Sequence, residues 1–176
     1  MLGRVGLWTA HLDQVPWSRG REIVQEVEAL GYSALWFPEA VGRDGLVAST
    51  LTLSASQRLV AATGIVSIYG RDAFTMNSAW RTISEAYPDR FILGLGVSHR
   101  PMVEGLRGVT YGPPVTAMRH YLDQMDGAPY LAVNPSQPRR RSAEPSSPTA
   151  PSVSRLAPTW AGRSVRRRAP PSHPDS

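Results

Sequence analysis

The stretch YPDRFILGLGVSH (residues 87–99) carries the decision about the fold. Tyr87 closes a helical pattern, Pro88-Asp89 form a turn, and the apolar run that follows places Gly94 and Gly96 two apart, just before Ser98 and His99. Alternate residues of a strand share a face. Phe91, Leu93, Leu95 and Val97 therefore point one way, and Ile92, Gly94, Gly96 and Ser98 the other. The second face is bare towards its C-terminal end. Glycine there lets a ligand ring or another backbone approach closely, and tight packing of helix against strand accounts for the same pattern. A dinucleotide fingerprint fits poorly, because GLGVSH has His99 in place of the third glycine and Pro101 follows instead of a clean helix start.

Working outward, strand and helix alternate four times. RVGLWT (4–9) is a short β-rich run. Residues 19–30 place Ile23, Val24, Val27 and Leu30 at amphipathic-helix spacing, and Gly31 stands where a helix C-terminal glycine belongs. SALWF (33–37) reads as a second strand stopped by Pro38, residues 46–57 as a helix, and RLVAATGIVSI (58–68) as a strand buried on both faces. Asp72 is placed to cap a helix on which Met76, Trp80, Ile83 and Tyr87 share a face. After RFILGLGV (90–97) comes a loop containing glycine and proline, then a helix from about Val115 to Asp126. Such alternation predicts parallel βα units, in either a doubly wound sheet or part of a (β/α)8 barrel.

The pattern collapses near Pro135. Nine Pro, nine Ser and eight Arg fill residues 135–176, and that composition predicts a disordered tail. The net charge of +5 belongs to this tail: residues 1–134 carry 11 Arg against 12 acids, residues 135–176 carry 8 Arg against 2. The chain has no cysteine, so disulfides and thiolate metal sites are excluded. It has no run of membrane-spanning length and no signal-peptide layout, which predicts a cytoplasmic protein.

The strand ends collect polar groups. Glu39 follows strand two, as a candidate acid or ring partner or else a solvated loop acid. Ser67, Tyr69 and Arg71 follow strand three, Ser98 and His99 follow strand four, and His11 and Asp13 follow strand one. Parallel α/β folds place their sites at this edge. The four histidines lack ligand spacing, so no metal site is predicted. There is no phosphate-loop motif and no GxSxG elbow.

Taken together and in order, LGYSALWFPEA, LVAATGIVSIYGRD and AYPDRFILGLGVSH resemble the luciferase-like monooxygenase superfamily, most closely its deazaflavin-dependent oxidoreductases, which use coenzyme F-420. The resemblance covers roughly residues 2–134. It implies a (β/α)8 TIM-barrel fold and hydride transfer between a deazaflavin ring, with FMN as the alternative, and a small organic substrate. It also implies Glu39 and His99 as catalytic candidates, and Ser67, Ile68, Gly94, Gly96 and Ser98 as cofactor contacts. GIVSIY resembles the segment that carries a non-prolyl cis peptide behind the ring, with Ser67 and Ile68 the candidates by position. Relatives acting on sugar phosphates or alcohols often carry His and Trp after strand two; PEAVGRD here argues against those substrates.

A full barrel takes about 250 residues, and the sequence shows about four βα units, a truncated barrel without the later strands that normally hold the cofactor phosphate. The composition after about residue 138 is what a GC-rich gene yields when read out of frame, so a frameshifted or misassembled continuation is expected, and the downstream DNA tests it. Open sheet edges predict self-association. The rival reading is a non-catalytic fragment whose arginine-rich tail binds acidic partners such as nucleic acid through phosphates; one aromatic and no recognition motif in that tail speak against it.

Overall fold

In the computed structural model of the chain, which describes residues 3–132, parallel strands lie side by side in the order in which the chain makes them. The elements are β1 (Gly6–Trp8), α1 (Trp17–Ala29), β2 (Ala34–Phe37), α2 (Gly45–Ser54), β3 (Val60–Thr63), β4 (Val66–Ser67), α3 (Ala73–Ala86), β5 (Phe91–Ile92), β6 (Leu95–Gly96) and α4 (Pro114–Gly127). One sheet runs β1-β2-β3-β5, and β4 pairs with β6 beyond it. The register sets Leu7, Leu35, Ala61 and Phe91 in one row and Trp8, Trp36, Ala62 and Ile92 in the next.

Those rows face opposite ways, and the helices choose one of them. Val24 and Val27 of α1, Leu46 and Leu53 of α2, Met76, Trp80 and Ile83 of α3, and Tyr121 and Met125 of α4 form a single apolar cluster with Leu35, Phe37, Ala61 and Leu93. A doubly wound sheet covers both faces and reverses its strand order. Among the described residues the order never reverses and the four α-helices share one face, which is the wall of a (β/α) barrel. Burial of these side chains is the main favourable term.

Local chemistry sets the element ends. Gly31, at φ +86°, closes α1: its N–H donates to the Glu28 carbonyl at 3.0 Å, and the Tyr32 N–H donates to Val27 at 3.3 Å. That is the paired Schellman bond set, which wants a residue without Cβ strain. Asp72 caps α3 as expected, accepting from Thr75 N–H at 2.8 Å. Asp44 caps α2 in the same way, from Leu46 and Val47 at 2.9 and 3.0 Å.

Two expected strands are interrupted. The run 58–68 breaks after Thr63 at a cis peptide between Gly64 and Ile65, then resumes as β4. The run 90–97 breaks in step, because Val66 and Ile68 N–H donate to the Gly94 and Gly96 carbonyls at 2.9 and 3.0 Å. A 3-10 turn (His11–Gln14) and a π-helical turn (Pro101–Leu106) occupy stretches expected as loop. The expected disordered tail, residues 135–176, lies outside the described residues. Among the described residues, no helix is long and apolar enough to cross a membrane.

Candidate functional site at the strand C-terminal ends

Glu39 leaves the end of β2 and turns into the protein, with 5% of its side chain exposed. Its Oε2 accepts the Gly45 N–H at 2.8 Å and Arg71 Nη2 at 2.7 Å, and its Oε1 accepts Arg71 Nη1 at 3.3 Å. Arg107 Nη2 stands 3.9 Å away. Arg71, 14% exposed, also pairs with Asp44, the α2 cap, and its carbonyl accepts the Tyr121 hydroxyl at 2.9 Å. The loops that follow β2 and β4, together with α2 and α4, are thereby tied at one ionic centre. Burial alone would lower the Arg71 guanidinium; the hydrogen bonds and charges of Glu39 and Asp44 outweigh it and hold it above its ordinary value. Burial would raise Asp44, but the Val47 N–H and Arg71 hold its carboxyl below the usual range.

Beside this centre lies an apolar rim on the face away from the helices. A Cβ on Gly94 would sit 2.0 Å from the Thr63 carbonyl oxygen, and one on Gly96 would sit 2.6 Å from the Ile65 side chain. The bare face seen in the sequence is therefore filled by Thr63 and Ile65. Trp8, 57% exposed, lies across Gly64: its Nε1–H points at the Gly64 carbonyl at 3.4 Å, and a Cβ on Gly64 would come within 2.9 Å of that nitrogen. Trp8, Gly64, Ile65 and Gly96 thus follow one another along the rim.

A strap closes the other side. Ser98 holds φ +56°, uncommon for a residue with a side chain. Its carbonyl accepts the Tyr111 hydroxyl at 3.3 Å. The Tyr111 and Tyr69 rings meet at 5.6 Å, and the Gly112 N–H donates to the Tyr69 hydroxyl at 3.3 Å. His99 stands exposed at the start of the strap, its carbonyl accepting from Met102 and Val103 N–H.

The structure brings Glu39, Ser67, Gly96, Ser98 and His99 to one edge, but in different surroundings. Ser67 is buried, and its hydroxyl accepts the Tyr69 N–H at 3.2 Å. Ile68 does not reach the rim, because strand alternation sends it with Val66 into the helix-side core. The cis peptide expected at Ser67 and Ile68 is at Gly64–Ile65, within the same GIVSIY segment. Asp13 accepts the Arg43 N–H at 3.1 Å and ties the first two loops, and His11 bonds Gln14. Sequence reasoning missed Asp44, Arg107, Tyr111, Trp8 and the Gly64–Ile65 step. Asp44 had a readable signal, an Asp directly before a helical run. The others meet only through long-range pairing. Among the described residues, no group of His, Asp or Glu could hold a metal ion.

Comparison with known proteins follows the geometry. A coenzyme F-420-dependent oxidoreductase of Mycobacterium tuberculosis, so named provisionally, is 28% identical over 120 residues, covering 68% of this chain and 35% of that protein. The F-420-dependent tetrahydromethanopterin reductase of Methanopyrus kandleri superposes with a TM-score of 0.56 at 15% identity, over 69% of this chain and 38% of the other. The oxygenating constituent of the 3,6-diketocamphane monooxygenase of Pseudomonas putida, solved with FMN, gives 0.61 at 12% identity, over 69% and 38%. These two show a shared fold, and the chain spans a little over a third of each relative. The family model for luciferase-like monooxygenases matches residues 3–162. With a parallel barrel wall, an ionic centre at the strand ends and a family match over most of its length, the chain belongs to the luciferase-like monooxygenases.

Proposed function

We propose that the chain carries part of the cofactor site of an oxidoreductase that moves a hydride between a deazaflavin, coenzyme F-420, or alternatively FMN, and a small organic substrate. The observation that carries this reading is the rim itself: an apolar shelf of Ile65 and Trp8 beside the backbone of Gly96–Ser98, at the edge where parallel βα folds bind ligands. The fit to a flat heterocycle is physical. Gly64 and Gly96 leave space that neighbouring side chains use to build a smooth seat, so a ring can rest on Ile65 without meeting a projecting Cβ. Gly94 and Gly96 are needed for that seat, Ser67 stiffens the turn behind it, and Ser98 offers its backbone at the rim.

When bound, the ring supplies hydride chemistry. The protein positions it, keeps water from one face and moves a proton. His99, exposed at the rim, has the access a proton carrier needs. Glu39 is already held by Arg71 and the Gly45 N–H, so its part is to anchor the loops that carry the site. The names of the relatives favour F-420, with FMN second.

The test is equilibrium titration of the full chain with coenzyme F-420, with FMN and, at two salt concentrations, with DNA. Saturable binding of one flavin-type ligand is expected. Salt-sensitive DNA binding with no ligand binding overturns the reading and favours the basic-tail alternative.

A further inference from the structure

We infer that Trp8 is a contact residue for the cofactor ring, an aromatic side wall next to the Gly64–Ile65 seat; this rests on the function proposed above. Strand register starts the case. Trp8, Trp36, Ala62 and Ile92 occupy one row on the face away from the helices. Ala62 is fully buried and Trp36 half-buried, yet Trp8, at the strand end, has more than half of its surface open. Its position is nevertheless determined. The indole N–H is directed at the Gly64 carbonyl, and the absence of a side chain on Gly64 is what lets the ring lie there.

An indole held by its edge, with open surface beside an apolar shelf, is suited to a planar heterocycle. Aromatic rings gain from offset or edge-to-face contact beyond simple burial. A ring seated on Ile65 has Trp8 as its neighbour on the β1 side and Gly96 on the β6 side. Trp8 thus also limits the width of the seat.

The experiment uses the full chain, which contains five tryptophans. Tryptophan emission is followed while coenzyme F-420 or FMN is added, and affinity is read separately from the ligand's own absorbance. The variants are Trp8→Phe, which keeps a ring but removes one of the five emitters, and Trp8→Ala, which removes the wall. Wild-type emission should be quenched. Trp8→Phe should be quenched less than wild type at equal saturation while binding within about threefold, and Trp8→Ala should bind about tenfold more weakly, equivalent to about 1.4 kcal/mol. A thermal melt shows whether Trp8→Ala still folds; if it does not, Trp8→Phe alone decides through the quenching. Undiminished quenching in Trp8→Phe, or unchanged affinity in folded Trp8→Ala, overturns the inference and leaves the proposed function standing. A wild-type chain that binds neither ligand overturns both.

Discussion

Arg71 grips Glu39 at two points, Nη2 to Oε2 at 2.7 Å and Nη1 to Oε1 at 3.3 Å, across the loops that follow β2 and β4. The sequence positions are 32 apart, so this contact fixes one strand end against another. A buried ion pair is weak evidence for stability, but breaking one from a single side leaves a charge with no partner.

Arg71→Met should therefore destabilise the fold by roughly 3 kcal/mol, because the buried Glu39 carboxyl loses the guanidinium that holds it at two points. Glu39→Gln should cost less, since Asp44 still pairs with Arg71. The double variant should recover a large part of the Arg71→Met loss. Urea denaturation of the four proteins gives the coupling energy directly. Additive losses would mean that the pair is not energetically linked.

The two glycines of the strand-four run make separable predictions. A Cβ at Gly94 meets backbone, the Thr63 carbonyl, which cannot swing away. Gly94→Ala should cost more than about 3 kcal/mol or prevent folding. A Cβ at Gly96 meets the Ile65 side chain, which can be cut back. Gly96→Ala should destabilise, and adding Ile65→Ala should restore much of the loss. Equal melting temperatures for Gly96→Ala with and without Ile65→Ala would show that Ile65 is not what Gly96 accommodates.

Acid should weaken the fold through named carboxylates. Burial would raise Glu28, but the N–H groups of Arg58, Gln57 and Leu59 hold it below its ordinary value. Asp44 is lowered by Val47 and Arg71 against its burial, and Asp72 by the Thr75 hydroxyl and N–H. A carboxyl with a lowered folded pKa binds fewer protons in the native than in the unfolded state. Its contribution is present above the unfolded value, about 4, and is lost as pH falls through the lowered folded value. Urea midpoints should fall as pH drops from about 5 towards 2, and Glu28→Gln should show a shallower fall. An unchanged slope in that variant would remove Glu28 from the account.

The fold was legible because α1, α3 and α4 are amphipathic and the strands short and apolar. Ile23, Val24 and Val27, and Met76, Trp80 and Ile83, announce a face without knowledge of their partners. Pattern alone left a doubly wound sheet and a barrel wall open; strand order and the single helix-covered face decide between them. The site was legible only as an edge. That polar residues gather after each strand follows from parallel topology. That Arg71 takes up Glu39, or that Ile65 fills the space over Gly96, depends on residues about 30 apart meeting in a given register. Alternation did put Phe91, Leu93, Leu95 and Val97 on one face, which packs on the core, and it could have placed Ile68 there too, had the break after Thr63 been visible.

Self-association of the 176-residue polypeptide is the remaining expectation. In the sheet order β1-β2-β3-β5, the outer edges of β1 and β5 have no strand beside them among the described residues. Such edges pair readily with other chains unless they are short, charged or covered. The face away from the helices also presents Trp8 with more than half of its surface exposed. Burying an indole and a strand edge against a second copy removes both from water. Light scattering across a concentration series should give a mass above that of a monomer, shifting downward on dilution. Ligand should oppose association if the Trp8 rim is the shared surface, because one patch cannot hold both. A monodisperse monomer at every concentration would mean that the open edges are already protected.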